Sequence, residues 1–259
     1  MTPQDPVVAT DEIPLVRGRP KILKDEPHTL CPGCGESVAG RVIGEVIEEM
    51  GLAERTILSL GVGCYLQLTR LLDIDFQQAL HGRAPAMATG IKRVRPNALV
   101  FTVQGDGDLH SEGITEAVQA ATRGENITII CFNNTVNGET GGHMTAATVV
   151  GQKTKTTFGG RERQGQGQPV RMAELLGSIE GTVYSARTSV NKPSEIQKAK
   201  NHLRKAFESQ MAGQGLSYVE ILTMCPTGWF MEPGEAIDHI DDVITKVHPL
   251  GVFKDGVAD

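Results

Sequence analysis

Two apolar segments with one helical segment between them constrain the fold of this chain more than any other feature. The stretches Asn97–Gln104 and Asn126–Phe132 have the composition of strands that are buried in a sheet. Between them, Ser111–Arg123 has a serine at its start and a glycine just after its end, which are typical helix boundaries. A strand, a helix and a second strand joined by short loops form a βαβ unit. We therefore predict an α/β fold with a parallel sheet flanked by helices.

The same alternation of elements continues on either side of this unit. Apolar residues recur at helical spacing over Glu36–Met50, and Gly51 follows as a stop signal. The other predicted elements are strands Thr56–Leu60, Thr182–Arg187 and Ser217–Thr223 and helices Ser194–Met211 and Glu235–Val247. A chain of 259 residues is within the size of one α/β domain. We predict a single domain over residues 28–259, preceded by an extended arm over residues 1–27, which are rich in proline and charge.

Composition argues against several classes of function. The net charge of -6 forms no basic stripe and aromatic residues make up 4%, so we expect no nucleic acid partner. No apolar run is long enough to cross a bilayer, so we expect no membrane partner either. The first residues lack the basic stretch and apolar core of a secretory signal, which predicts a cytoplasmic protein. In the cytoplasm, five cysteines favour thiolate chemistry or burial over disulfides.

Polar residues follow both strands of the central unit. Asp106 lies between two glycines directly after the first strand, where we expect it to be accessible, and Asn134 follows the second strand. Their carboxylate and amide oxygens, with the backbone carbonyl of Val136, suit Mg²⁺, which prefers oxygen ligands and shares them with phosphate groups. The flanking Gly105 and Gly107 let a diphosphate approach the backbone closely. Because both strands end at the same edge of a parallel sheet, one ion could bridge them.

Each of these strings on its own is most often an ordinary turn or strand end. Together, one helix and one strand apart and followed by a glycine-rich loop, they resemble the diphosphate-binding domain of the thiamine diphosphate enzymes. The resemblance implies that Asp106, Asn134 and Val136 hold a magnesium ion. It also implies a wider set of cofactor-binding residues, namely Gly63, Cys64, His81, Gly82, Gly105, Gly107, Asp108 and Gly138.

Four cysteines lie beside glycine or proline, in turns that could bring sulfur atoms together. Cys31 and Cys34 flank one tight turn in the sequence CPGCG, a spacing that suits chelation of one metal centre. Cys64 ends a glycine-rich turn after the strand Thr56–Leu60, and Cys225 begins the sequence CPTGW after a later strand. These four would complete a tetrathiolate site, although zinc ribbons and redox dithiols also use the CxxC spacing.

The fifth cysteine has a different setting. Cys131 lies between Ile130 and Phe132 inside a predicted strand. We therefore expect its side chain to be packed against the sheet core and not to bind a metal.

The order of motifs along the chain resembles one family in particular. CPGCG, GVGC, HGRA at residues 81–84, the GDGD and NN pair, TGG and CPTGW follow one another as in the β subunits of the 2-oxoacid:ferredoxin oxidoreductases. The resemblance covers residues 31–229 and implies the thiamine-diphosphate-binding fold. It implies that Cys31, Cys34, Cys64 and Cys225 bind a 4Fe–4S cluster near the thiamine, and that His81 lines the active site and is catalytic. Without the resemblance, a partly buried histidine bonded to the backbone explains His81 equally well.

The resemblance implies a reaction and a set of partners. The reaction is the coenzyme-A-dependent oxidative decarboxylation of a 2-oxoacid to an acyl-CoA, CO₂ and reduced ferredoxin. The run GQKTKTT at residues 151–157 resembles chains that act on branched-chain 2-oxoacids or on 2-oxoglutarate. Because the chain is too short for both halves of a thiamine diphosphate site, a pyrimidine-domain α subunit is an expected partner, with γ and ferredoxin-like δ subunits. A two-cluster ferredoxin run of cysteines is absent from the sequence, so electrons are expected to leave through such a partner.

The sequence departs from the family at two places. Tyr65 follows Cys64 where related chains often have a small polar residue, and residues 137–139 read NGE in place of an aromatic-Gly-Met run. Both departures bear on the substrate rather than on the cofactor.

The segment Thr135–Gly167 is rich in glycine and threonine and lacks periodicity, which predicts a functional loop. Lys153, Lys155 and Arg161 in this loop could meet a substrate carboxylate or coenzyme A. A solvated loop charge is the simpler explanation of any one of them.

Two other classes of function are compatible with these residues. The first is a non-redox thiamine diphosphate enzyme, a split 2-oxoacid decarboxylase or synthase in which the cysteines are structural. The second is a zinc-ribbon-like binding module, which the CxxC spacing alone supports and which leaves the GDGD and NN strings without a role. Metal analysis together with extraction of thiamine diphosphate distinguishes all three.

Overall fold

Buried strands of the predicted kind build one sheet in the computed structural model, which describes residues 18–256. The strands are β1 Thr56–Leu60, β2 Asp75–Gln78, β3 Leu99–Gly105, β4 Thr128–Asn133, β5 Thr182–Ser189, β6 Leu216–Leu222 and β7 Gly251–Asp255. Their order across the sheet is β2-β1-β3-β4-β6-β5-β7. The first six run parallel, and β7 pairs antiparallel with β5 at one edge. The predicted α/β class is confirmed, but the sheet is mixed rather than wholly parallel.

Helices cover both faces of the sheet. They are α1 Gly35–Glu49, α2 Leu68–Leu71, α3 Ala84–Val94, α4 Ile114–Thr122, α5 Arg163–Gln166, α6 Met172–Gly177, α7 Pro193–Met211, α8 Pro226–Trp229, α9 Pro233–His239 and α10 Thr245–Val247. Side chains alternate along the strands, so that Phe101 and Val103 pack in one core with α1 and α7, whereas Val100 packs in a second core with α3, α4 and α6. Within residues 18–256, none of the helices combines the length and the apolarity needed to span a membrane.

The helix after β3 begins differently from the prediction. The chain enters a π-helical turn, Gly107–Glu112, immediately after the strand, and the backbone N–H of Gly113 donates to Asp108 O at 2.8 Å. Ser111 does not cap the helix, because its hydroxyl accepts from the backbone N–H of Ala146 at 2.9 Å. The serine start signal at Ser111 was therefore wrong, and α4 starts after Gly113.

Three further elements differ from the prediction. The edge strand β2 was missed because its sequence DFQQ is largely exposed and shows no apolar pattern, and β7 is only partly buried. The predicted helix Glu235–Val247 is divided into α9, a π-helical turn over Ile240–Ile244, and α10. It begins earlier than predicted, with a capping box formed by Glu232 and Glu235.

The predicted N-terminal arm is described only in part, since residues 1–17 lie outside the described residues. Residues 18–27 lie along the domain. Ile22 is buried, Leu23 forms an isolated bridge with Leu72, and the backbone N–H of Asp73 donates to Ile22 O at 2.8 Å. This part of the chain therefore packs against α2 and the helical core beside it.

Candidate functional site

The carboxyl ends of β1, β3, β4 and β6 meet at one edge of the sheet. They deliver, respectively, Gly61–Cys64, Gly105–Asp108, Asn134 and Cys225 to that edge. Open α/β sheets bind ligands at the carboxyl ends of their strands. The fold therefore brings most of the predicted site residues together, although they come from distant parts of the sequence.

A cavity of about 250 Å³ is lined by all four predicted cluster cysteines, Cys31, Cys34, Cys64 and Cys225. Gly138 lies between two of them. A Cβ atom at Gly138 would lie 3.3 Å from Cys225 Sγ and 3.9 Å from Cys64 Sγ. A Cβ atom here would be tight against the Cys225 sulfur and in ordinary contact with the Cys64 sulfur, so glycine keeps the space in front of them open.

The CPGCG turn is tied directly to the end of β6. The backbone N–H of Cys34 donates to Cys31 O at 3.0 Å, which closes the turn. The next residue, Gly35, donates its N–H to Met224 O at 3.0 Å. A Cβ atom on Gly35 would lie 2.7 Å from Met224 N, so the two backbones approach as closely as only glycine allows.

The thiols facing this cavity are hard to ionise in the protein alone. Burial raises the pKa of Cys64 and of Cys225 to about 12, and burial together with the Glu36 carboxyl raises the pKa of Cys34 further still. Thiolates in such a place need a nearby positive charge. The iron atoms of a cluster would supply it, because metal coordination favours the deprotonated thiol.

Cys131 lies apart from the other cysteines. It is fully buried in β4, with Sγ 3.3 Å from His110 Nε2, and it packs in the core on the side of α4 and α6. The expectation that this thiol is packed in the sheet core is confirmed.

A second, smaller cavity adjoins the first along the strand ends. It is lined by the predicted magnesium ligands Asp106, Asn134 and Val136 and by the glycines on either side of Asp106. The two cavities share their lining residues Glu36, Gly63, Cys64, Asn134, Gly138 and Glu139. The predicted diphosphate site and the predicted cluster site are therefore immediate neighbours.

Asp106 is buried, and the expectation of an accessible strand-end carboxylate was wrong: the residue is 1% exposed. Its Oδ1 accepts from the backbone N–H of Asn134 at 3.3 Å, and its Oδ2 accepts from the Thr145 hydroxyl. Burial raises the pKa of Asp106 to about 7, although both hydrogen bonds oppose the shift. A divalent cation beside it would favour the ionised form.

Asn134 is held by further hydrogen bonds beside the one from its backbone N–H to Asp106. Its Oδ1 accepts from the backbone N–H of Val136 at 3.3 Å, and its Nδ2 donates to Glu36 Oε1 at 3.4 Å. Its backbone carbonyl accepts from Trp229 Nε1 at 2.8 Å. The amide is therefore oriented with its nitrogen toward Glu36 and its oxygen toward Val136.

Glu36 is a site residue that the sequence reasoning missed. It is 3% exposed, lines both cavities, and its Oε2 atom receives no hydrogen bond from a described residue. Burial, with Asp106 and Glu139 nearby, raises its pKa to about 8. The available signal was its position directly after CPGCG, on an otherwise small and apolar face at the start of α1.

Asp108 lies at the rim of the second cavity, but its oxygens are already engaged. Oδ2 accepts from the Tyr65 hydroxyl and from the backbone N–H of Val62, the latter at 3.2 Å, and Oδ1 accepts from the backbone N–H of Gly82. Burial and the Asp108 carboxylate raise the pKa of Tyr65 well above its ordinary value. Asp108 thus connects the segment after β3 to the Val62–Tyr65 segment and to Gly82.

His81 and Gly82 are not among the described residues that line the two cavities. His81 Nδ1 lies 3.3 Å from Asp108 Oδ1 and 3.1 Å from Glu112 Oε2, with 27% of its side chain exposed. The structure therefore places the imidazole against Asp108 and Glu112, away from the lining of both cavities. A catalytic role for His81 stays a prediction.

The cations of the glycine- and threonine-rich loop have separate settings. Arg161 is 5% exposed, and its guanidinium donates to several backbone carbonyl groups, including those of Thr145 and Gln168 at 3.2 and 3.1 Å. Arg161 thus holds the loop together and is not placed to meet a substrate. Lys155 packs against Gly141, and Lys153 lines a separate groove beside α8.

The donor atoms fit both implied metal groups. In the described part of the chain, no three side chains of His, Cys, Asp or Glu converge closely enough to hold one metal ion. A 4Fe–4S cluster does not need such convergence, because each of its thiolates binds a different iron atom. Magnesium at Asp106 would take one carboxylate, with the Asn134 amide, the Val136 carbonyl and phosphate oxygens completing its shell.

Comparison with known proteins also indicates a thiamine-diphosphate-binding domain in this part of the chain. A family model described as "Thiamine pyrophosphate enzyme, C-terminal TPP binding domain" matches residues 61–221. The 2-oxoglutarate synthase subunit KorB of Archaeoglobus fulgidus is 32% identical over 90% of this chain and 86% of its own length. The ketoisovalerate oxidoreductase subunit VorA of Methanothermobacter marburgensis is 39% identical over 87% of this chain and 47% of its own length. The chain thus spans about half the length of the latter relative.

A solved structure shares the fold. The 2-oxoglutarate:ferredoxin oxidoreductase from Magnetococcus marinus, with 2-oxoglutarate, coenzyme A and succinyl-CoA bound, matches with a TM-score of 0.74 at 23% identity. The match covers 94% of this chain and 87% of that one. At this level of identity the likeness concerns the fold.

Proposed function

Because this chain belongs to the family of thiamine-diphosphate-binding β subunits of the 2-oxoacid:ferredoxin oxidoreductases, we propose that it supplies one half of a thiamine diphosphate site and one 4Fe–4S cluster to such an enzyme. The proposed reaction is the oxidative decarboxylation of a 2-oxoacid, with coenzyme A, to an acyl-CoA, CO₂ and reduced ferredoxin. The observation that carries the proposal is the pair of adjoining cavities, one with the GDGD and NN strand ends and one with four cysteines.

In this proposal the strand ends hold the cofactor's diphosphate. Asp106, Asn134 and the Val136 carbonyl bind the magnesium ion, and Gly105 and Gly107 let the diphosphate lie against the backbone. When bound, thiamine diphosphate supplies the nucleophile and the electron sink that break the bond between the carboxyl and keto carbons of the substrate. The chain orients the diphosphate, and the buried position of Asp106 keeps water away from the Asp106 carboxylate.

The four cysteines form the electron exit in the same proposal. Cys31, Cys34, Cys64 and Cys225 each bind one iron atom of the cluster. The cysteine cavity and the diphosphate cavity share six lining residues, and one of them, Gly138, has no side chain to fill the space between them. A cluster and a diphosphate bound in these adjoining cavities would lie close together, which suits the transfer of single electrons.

Substrate and partners are proposed from the relatives and from the sequence. The names of the relatives favour a branched-chain 2-oxoacid or 2-oxoglutarate as the substrate. We place the pyrimidine half of the site on an α subunit or an equivalent segment, with γ and ferredoxin-like δ subunits carrying electrons to ferredoxin. We further propose that residues 28–259 act as one domain, with residues 1–27 as an arm.

The test is the cofactor content of the assembled enzyme. Purified under anaerobic conditions with its α partner and without the ferredoxin-like δ subunit, the chain should carry about four iron and four sulfide atoms and one thiamine diphosphate. An electron paramagnetic resonance signal after dithionite reduction would identify the cluster. A colourless, iron-free complex that still decarboxylates 2-oxoacids would favour the non-redox alternative. Zinc in place of iron, without thiamine diphosphate, would favour the zinc-ribbon alternative.

A further inference from the structure

Thr135 has an unusual backbone conformation between two of the proposed magnesium ligands. Its φ angle is 61°, in the left-handed region, and the residue is fully buried. A β-branched residue rarely adopts this conformation, and such residues persist only where the surrounding structure fixes them. Since Thr135 joins Asn134 to Val136, its conformation sets the relative direction of the Asn134 side chain and the Val136 carbonyl.

Asn133, two residues before Thr135, holds Thr135 in place. Asn133 Oδ1 accepts from the Thr135 backbone N–H at 2.9 Å, and Asn133 Nδ2 donates to Glu220 Oε1 at 2.7 Å. On the other side, the Thr148 hydroxyl donates to the Thr135 carbonyl at 2.6 Å. The left-handed turn is therefore fixed at both of its peptide groups, and one of these restraints leads to a buried carboxylate.

Glu220 belongs to a buried ion pair in the middle of the sheet. It lies in β6 directly opposite Arg187 in β5, and Arg187 Nε is 2.9 Å from Glu220 Oε1, with both side chains fully buried. Arg187 also binds Glu174, with Nη2 at 2.6 Å from Oε2, and donates to Pro249 O at 3.0 Å. Neither Arg187 nor Glu220 lines the two cavities.

The charges in this pair are mutually dependent. Burial alone would raise the pKa of Glu220, but Arg187 and two nearby histidines lower it to about 2. Burying an ion pair gives little net stability compared with apolar residues of the same size. Stability alone therefore does not account for a buried pair whose carboxylate also binds Asn133.

We propose that the Arg187–Glu220 pair is a positioning element for the magnesium ion. Through Asn133 it holds Thr135 in the left-handed conformation, so that Asn134 and Val136 face Asp106 before the cofactor arrives. The proposal rests on the magnesium site proposed above. Arg187, Glu220 and Asn133 act on the ion through the turn and do not touch it.

The experiment measures magnesium affinity in the assembled complex, from the Mg²⁺ dependence of thiamine diphosphate binding by isothermal titration calorimetry. Glu220→Gln should weaken the apparent Mg²⁺ affinity about tenfold, because the neutral side chain loses its ion pair with Arg187 and accepts only a weaker bond from Asn133. The turn can then relax toward the conformation that threonine prefers. Thr135→Gly in the same chain should restore most of the lost affinity, since glycine adopts a positive φ without steric cost. A role of Glu220 in stability alone predicts no such rescue.

A second variant covers the case in which Glu220→Gln does not fold. Asn133→Ala leaves the ion pair intact and removes only the link to Thr135, and it should show the same loss and the same rescue by Thr135→Gly. Glu174→Gln is the matched control, because it removes the outer partner of Arg187 and leaves the Glu220–Asn133 bond in place. It should lower the unfolding midpoint and leave the Mg²⁺ affinity unchanged.

The outcomes separate the two proposals. If the wild-type complex binds no magnesium or thiamine diphosphate, the proposed function fails. If the wild type binds both and folded Glu220→Gln or Asn133→Ala binds Mg²⁺ as tightly, or if Thr135→Gly restores nothing, the positioning role is overturned and the ion pair serves stability only.

Discussion

The two halves of the candidate site are built to different degrees. At the strand ends, Asp106, Asn134 and Thr135 have hydrogen-bond partners within the protein and their conformations are fixed. At the cysteine cavity, the thiols face open space, Cys31 is exposed, and Glu36 Oε2 has no partner among the described residues. The protein thus forms by itself the proposed diphosphate edge, which we define as Gly105–Asp108 and Asn134–Val136, whereas the cysteine cavity is left for a ligand to complete.

The origin of the residues explains this difference. The diphosphate edge comes from two neighbouring strands, β3 and β4, whose ends are aligned by the sheet itself. The cysteine cavity collects its thiols from the turn at residues 31–34, from Cys64 and from Cys225, which are far apart in sequence. Sheet register positions the first group, whereas the second group depends also on the CPGCG turn, which lies outside the sheet and is held by its backbone bond to the end of β6.

The largest expected effect is at the diphosphate edge. Asp106→Ala should abolish binding of thiamine diphosphate and magnesium while the chain stays folded, because the substitution removes the proposed carboxylate ligand at a cost on the order of 1–3 kcal/mol for the unpaired donors left behind. Cofactor content by extraction and the unfolding curve by circular dichroism measure the two effects. Asp75→Ala on the exposed edge strand β2 is the control and should keep its cofactor. Near-normal cofactor content in Asp106→Ala would remove the diphosphate assignment.

The next effect is at the cysteine cavity. Cys64→Ser should lose most of its iron, because serine is a poor ligand for a cluster, whereas the matched variant Cys131→Ser should keep it. Burial of the new hydroxyl at position 131 should lower the free energy of unfolding by about 1–3 kcal/mol if it stays unpaired. Iron-to-protein ratios decide the matter. A colourless Cys131→Ser and a brown Cys64→Ser would show that the ligand set is wrong.

The third effect is the pH dependence of stability that we expect from Asp106 and from Glu36, which lines both cavities. The pKa of Asp106 is raised to about 7 and that of Glu36 to about 8, so the folded chain without cofactor binds protons that the unfolded chain releases. Its free energy of unfolding should therefore fall by a few kcal/mol as pH rises from about 5 to 8. Urea denaturation across this range measures the slope.

Two additions sharpen the pH test. Glu36→Gln should remove part of the slope, whereas Glu208→Gln on the exposed side of α7 should leave it unchanged. Magnesium with thiamine diphosphate should flatten it, because a cation favours the ionised carboxylates. A flat profile in the cofactor-free chain would mean that these carboxyl groups do not have raised pKa values.

The smallest effect is expected at Tyr65, whose ring lies against both Gly63 and Gly105. Tyr65→Phe removes the hydroxyl that donates to buried Asp108 and should lower the free energy of unfolding by about 1–3 kcal/mol. Iron and thiamine diphosphate content should change little, because Asp108 keeps its two backbone donors. Tyr184→Phe, which loses a bond to the half-buried His202, is the control and should cost less. A large loss of cofactor in Tyr65→Phe would instead show that the Tyr65 hydroxyl contributes to cofactor binding.

The diphosphate edge was predictable because its signals are local. Asp106 and Asn134 each follow directly after an apolar strand, and parallel strands place such residues at one edge whatever the order of the sheet. The burial of Asp106 was not predictable, since it depends on Thr145 and the loop that covers the strand end. Glu36 was missed for a similar reason, because helical spacing alone does not show which polar residue turns inward.

Sequence patterns do not reveal the contacts that hold the turn at Thr135. Arg187 and Glu220 meet because β5 and β6 are neighbours, and Glu220 reaches Asn133 because β6 also pairs with β4. No local motif specifies that strand order. The left-handed conformation of Thr135 is equally hidden, since threonine by itself predicts the opposite.

The bond between Gly35 and Met224 has a consequence for how the protein is made. It fixes the CPGCG turn against the end of β6, so the cavity does not exist until that strand is in the sheet. About 190 residues separate Cys34 from Cys225. At about 5–20 residues per second, a ribosome needs on the order of ten to forty seconds to cover that distance. During this interval Cys31 and Cys34 are a CxxC pair that a thiophilic metal can occupy, so delivery of iron and sulfide for the proposed cluster has to wait until Cys225 has been synthesised.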